Sequence, residues 1–185
     1  NTNDSVGVPS NLISYQEAYD GDGYMGGVTY VEGVPTYREC FQHALAAPLT
    51  PGVTVYLSMM VSAGGFGNDP MSNSMRYASN GIGMKFSVQP HPNYLYWPGN
   101  VALYLSSVLN DTSGWVQVSG MYVPDSAYGY VAIGCFLHYE DITVLPLDPT
   151  GVVFAAYALV DNVCVSTNAA DCPLSIGISE LAQPL

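Results

Sequence analysis

The chain has 185 residues, 49% of them hydrophobic and only 10% charged, with three Lys+Arg against 15 Asp+Glu and a formal charge of -12. That length and apolar content support one sizeable domain with its own core. So few cations exclude nucleic acid and anionic membrane surfaces as partners, because both are held through clustered Lys and Arg.

Thirteen prolines and 19 glycines cut the sequence into short segments, which reads as strands separated by turns. Residues 1–10, NTNDSVGVPS, form an extended lead-in. AYDGDGY, residues 18–24, is an acidic, glycine-rich turn, and YMGGVTYV, 24–31, is a strand. YRECFQHAL, 37–45, reads as a strand or a short helix. In VTVYLSMMV, strand alternation puts Val53, Val55, Leu57, Met59 and Val61 on one face and Thr54, Tyr56, Ser58 and Met60 on the other. GGFGNDPMSNSMRYASNG, 64–81, is a long polar loop in which Asp69 is a solvated side chain or a cation contact. GIGMKFSV sets Ile82, Met84, Phe86 and Val88 against Gly83, Lys85 and Ser87.

HPNYLYWPGNVALY, residues 91–104, holds His91, Tyr94, Tyr96, Trp97 and Tyr104 between prolines. Rings on a stiff loop can stack on sugar faces, so Tyr94, Tyr96, Trp97 and Tyr104 are candidate glycan or partner contacts. The competing reading folds the same rings back onto the domain. WVQVSGMYV, from Trp115, and YVAIGCFLHY, with Val131, Ile133, Cys135 and Leu137 on one face, are further strands. In the last strand, AAYALVDNVCV, simple alternation places Tyr157, Leu159, Asp161, Val163 and Val165 on one face and Ala156, Ala158, Val160, Asn162 and Cys164 on the other. Either face then carries a polar residue, and a buried carboxylate needs a partner. Residues 173–185, PLSIGISELAQPL, read as an exit or a strand given to a neighbour. Seven or more short strands predict one antiparallel sandwich or barrel over residues 11–172.

The four cysteines, Cys40, Cys135, Cys164 and Cys172, include no CxxC pair, so zinc is not expected. Two disulfides in an oxidising compartment fit an even count. Cys164 with Cys172 closes a short loop and leaves Cys40 with Cys135; buried free thiols are the other reading. No apolar run approaches the ~18 residues of a membrane helix, so no membrane insertion is expected. No signal peptide is present, and a secreted protein would have this as its mature form.

PSNLISYQEAYDGDGYMGGVTY, YRECFQHALAAPLTPGVTVYLSMMVS, GIGMKFSV, GWVQVSGMYV, YGYVAIGCF and AYALVDNVCVS, in this order, resemble a jelly-roll module of secreted surface proteins of gliding Bacteroidota exported by the type IX system. The module is similar in outline to jelly-roll carbohydrate-binding modules, which are galactose-binding-like. The resemblance covers roughly residues 9 to 166 and implies a two-sheet jelly-roll sandwich at the cell surface. It also implies a structural calcium held by Asp161 and the early acidic turn, with Asp20, Asp22 and Glu17 supplying oxygens. The alternative for Asp161 is a carboxylate capped by backbone N–H groups. Asp4-Ser-Val and Asp125-Ser-Ala match a short O-glycosylation pattern reported for such proteins, which marks Ser5 and Ser126.

No GxSxG, HExxH, P-loop or GxGxxG occurs, and His43, His91 and His138 are far apart in sequence. Glu39, Glu140 and Asp141 are the nearest to a glycosidase pair. The expected function is therefore a non-catalytic, extracellular adhesion or glycan-binding module, with a glycan or matrix polymer as partner. The alternative is a self-assembling subunit of a filament or sheath, joined to its own copies by strand exchange of its tails.

Overall fold

The computed structural model describes residues 7–66, 75–91 and 97–172. Ser5, Asp69, Tyr94 and Tyr96, and the segments 1–6 and 173–185, lie outside the described residues. In chain order the strands are β1 (Ser14–Tyr15), β2 (Met25–Val31), β3 (Cys40–Ala44), β4 (Val55–Ser62), β5 (Gly65–Phe66), β6 (Tyr77–Ser79), β7 (Ile82–Ser87), β8 (Val101–Tyr104), β9 (Val116–Tyr122), β10 (Tyr130–Cys135), β11 (Val144–Pro146) and β12 (Ala155–Ser166). A single 3-10 turn, Tyr139–Asp141, is the one helical element among the described residues.

Eight of these strands make two four-stranded antiparallel sheets, β2-β12-β4-β9 and β3-β10-β7-β8. Renumbered by chain order, the eight stand 1-8-3-6 and 2-7-4-5, the winding of a jelly roll. The predicted fold class is thus the observed one. The core lies between the sheets. Val55, Leu57, Met59 and Val61 of β4, with Val118, Ala158 and Val160, meet Ile82, Met84, Phe86, Val131 and Ile133 from the opposite sheet. These are the inward residues that alternation assigns.

Three local expectations change. YRECFQHAL is a strand, not a helix, but only over Cys40–Ala44. The aromatic loop 91–104 ends in β8, so Tyr104 is a half-buried strand residue. Alternation fails in β12: Asp161 pairs with Met60 but Cys164 with Ser58, so Asn162 and Val163 together oppose Met59. Asn162 carries the bulge with φ 47°, a left-handed conformation that asparagine tolerates. Beyond it Cys164 and Ser166 return to the outer face, and Val165 packs against the core. Neither polar residue of the pair enters the core: Asp161 is half-buried on the outer face and Asn162 is exposed.

Cys164 and Cys172 form a disulfide with Cα atoms 5.5 Å apart. The expected Cys40–Cys135 bridge is not made, and both cysteines are buried thiols outside any disulfide. Cys40 sits opposite Gly134 across the β3–β10 ladder, so Cys135, one residue on, points to the other face. Cys40 packs outward with Ala132 and Phe136; Cys135 packs inward with Tyr30, Ile142 and Ala156. Burial pushes both thiols up. Titration of the denatured, unreduced protein should therefore find two thiols; none or four would contradict this arrangement.

Candidate functional site

The outer face of the β2-β12-β4-β9 sheet is covered by the segment leading into β2. Ser62 Oγ donates to Gln16 Oε1 at 3.3 Å, and both residues are buried. Asp161, one rung away, closes on the next part of the segment. Its Oδ2 accepts the backbone N–H of Tyr19 at 2.8 Å and of Asp20 at 3.2 Å, and its Oδ1 accepts the Asn162 N–H at 2.7 Å. Asp161 is thus a clasp between the final strand and the acidic bend. The φ of 61° at Gly21 gives the bend its left-handed turn.

Those contacts bear directly on calcium. Calcium needs oxygen lone pairs converging on one point. At the bend, Asp161 accepts three N–H groups, and Asp20 Oδ1 accepts the Gly21 N–H at 3.0 Å. No group of three or more His, Cys, Asp or Glu able to hold a metal is found among the described residues. Asp20, Asp22 and Glu17 are exposed around the bend. Addition of calcium, or of a chelator, should leave Tm unchanged; a rise with calcium that Asp161→Ala abolishes would restore the metal reading.

Once held, the bend presents aromatic rings. Trp115, just before β9, donates its indole N–H to Glu17 O at 3.0 Å. Tyr24 meets the Trp115 ring edge-on at 5.8 Å, and Tyr19 does so at 6.4 Å. Tyr19 is 50% exposed; Trp115 and Tyr24 are half-buried. Burial raises the Tyr24 hydroxyl, which stays neutral and polar at ordinary pH. Beside the rings runs an open groove of about 390 Å³, lined by Tyr24, Met25, Asp161, Asn162 and Val163. Met25 and Val163 are 41% and 38% exposed on its walls. Gly26 keeps this region close-packed: a Cβ there would come within 2.6 Å of the Tyr157 ring.

The aromatics singled out in the sequence are arranged otherwise. Trp97 is half-buried against the domain: His91 stacks on it at 4.0 Å, Lys85 Nζ lies over it at 4.3 Å, and Phe136 meets it edge-on. These contacts are the ones the folded-back reading expects. Tyr104 lies on β8, away from the bend. Ser126 is half-buried in the β9–β10 connection. Glu39 holds the Val28 N–H and the Tyr37 hydroxyl, whereas Glu140 and Asp141 lie in the 3-10 turn. Tyr19, Tyr24 and Trp115 were not singled out as contacts. The one signal was that Trp115 is one of two tryptophans and that two tyrosines bracket the acidic turn; their meeting across about 90 residues is tertiary.

A scan against protein-family models finds no match, and a search of curated proteins finds none. Among solved structures the chain is similar to the CBM22-1–GH10 modules of the N-terminal endo-1,4-beta-D-xylanase 10B of Clostridium thermocellum, complexed with xylohexaose. The identity is 14% and the TM-score 0.41, over 81% of this chain and 23% of that one.

Proposed function

We propose that the chain is a non-catalytic, extracellular glycan-binding module whose contact surface is the Trp115–Tyr24–Tyr19 cluster and the adjoining groove. The observation that carries this reading is the cluster itself. Two tyrosine rings make T-shaped contacts with Trp115, all three partly open to solvent, beside a groove whose walls mix apolar surface with a carboxylate and an amide. Rings supply stacking area at little entropic cost, and the polar groups supply hydroxyl partners. The Asp161 clasp keeps the rings in place before a ligand arrives, which limits the ordering cost of binding. The Cys164–Cys172 disulfide supports an oxidising, extracellular setting.

The test is binding of soluble neutral polysaccharides, followed by affinity electrophoresis and calorimetry. Trp115→Ala should weaken binding at least tenfold, about 1.4 kcal/mol, with the fold intact by circular dichroism. Trp97→Ala should lower Tm and leave the affinity of the folded protein as it was. Equal binding by wild type and Trp115→Ala would move the site elsewhere. Large assemblies in native mass measurement, lost on removal of residues 1–10, would favour the filament reading instead.

A further inference from the structure

We infer that the groove beside Trp115 selects uncharged glycans and rejects those bearing carboxylate or sulfate groups; this rests on the glycan-binding reading above. The chain has three Lys and Arg, and all of them are held by carbonyls and rings. Arg38, 2% exposed, donates to the carbonyls of Leu137 and Pro35. Lys85, 4% exposed, donates to the carbonyls of Trp97 and Pro98. Arg76 lies over the Phe154 ring and faces Gly151 O. None of the three lines the groove, and acidic sugars are ordinarily recognised by bidentate arginine or by lysine.

The groups that do surround the rings are acidic. Asp161 lines the groove. Glu17, Asp20 and Asp22 are exposed on the bend, and Asp111 is exposed in the turn before Trp115. Like charges brought together across a contact cost several kcal/mol, so a uronic or sulfated chain meets repulsion with nothing to offset it. A neutral sugar meets acceptors. A carboxylate has about four lone-pair sites, and Asp161 receives three N–H groups, which leaves room for a sugar hydroxyl to donate. Asn162 beside it offers both a donor and an acceptor.

The experiment compares affinity for arabinoxylan, mixed-linkage β-glucan and galactomannan with that for polygalacturonate, alginate and carrageenan, at low and high salt. The expected result is binding of at least one neutral polymer that changes little with salt, and no retardation by the anionic ones. The triple variant Glu17→Gln, Asp20→Asn, Asp22→Asn should raise the ratio of polygalacturonate to neutral-polymer affinity at least tenfold. An anionic polymer bound by wild type as tightly as any neutral one, and released by Trp115→Ala, would overturn the charge inference while leaving the glycan site standing. Failure to bind any polymer of either class would overturn the glycan reading, and this inference with it.

Discussion

Asp161→Ala is expected to lower stability by about 2–3 kcal/mol, on the order of 5–10 °C in Tm, and to abolish binding at the Trp115 groove together with it. The carboxylate accepts both the Tyr19 and the Asp20 amide. Hydrogen bonds to a charged acceptor contribute more than neutral ones, and they close a contact 142 residues apart in sequence. Without it the bend can leave the sheet, and the Trp115 indole loses the positioned Glu17 carbonyl. Amide exchange should read this locally: the Tyr19 and Asp20 amides exchange faster in the variant, while β4 and β10 amides keep their protection. Asp161→Asn should fall between the two proteins, since its amide keeps one acceptor oxygen. Retained Tm and unchanged exchange at Tyr19 in Asp161→Ala would show that the clasp contributes nothing.

The fold was legible because burial imposes a period of two. In β4, β7 and β10 one face meets the opposite sheet, so Leu57, Met84 and Ile133 announce themselves by alternation alone. What alternation could not announce is a change of parity. The bulge at Asn162 resets the faces of β12, and only a ladder with two residues opposite one reveals it. The cysteine error has the same root. Pairing Cys40 with Cys135 by subtraction ignores the register that sets them on opposite faces of one sheet. The outer faces were legible least of all. Ser58, Met60 and Ser62 lie on the outer face of β4, yet all three are buried, Ser62 against Gln16 of the segment entering β2. Lys85 reads as an outward charge and is instead roofed by Trp97 and Pro98. A large ring on a stiff loop serves as a lid as well as a contact, which is the part Trp97 takes over Lys85, whereas Trp115 carries no local signal because its partners Tyr19 and Tyr24 are distant in sequence.

Lys85 also sets how stability depends on pH. Burial pulls its ammonium from an ordinary 10.5 to about 8, with Cys40 acting weakly the other way. The unfolded chain then binds more protons than the folded one between about pH 8 and 10.5, and stability rises with pH across that window. The charged form is the costly one: two carbonyls and two rings receive it, and burial outweighs the opposing pull of the Cys40 thiol. Other groups act with the opposite sign. Cys40 and Cys135 are raised from 9.0, and Tyr157 is raised to about 12, so each makes the fold lose stability as pH climbs past its unfolded value. The Lys85 contribution is thus cleanest from pH 8 to 9. Lys85→Met keeps the stem that packs under Trp97 and removes the charge, a replacement that is often neutral or stabilising. Denaturant unfolding of wild type and Lys85→Met, both carrying Cys40→Ala, should show the wild-type side gaining on the variant from pH 8 upward. Below pH 7 the difference between them should be constant. Parallel profiles over the whole range would mean that Lys85 titrates as it does in water, and that the Trp97 lid is open to solvent.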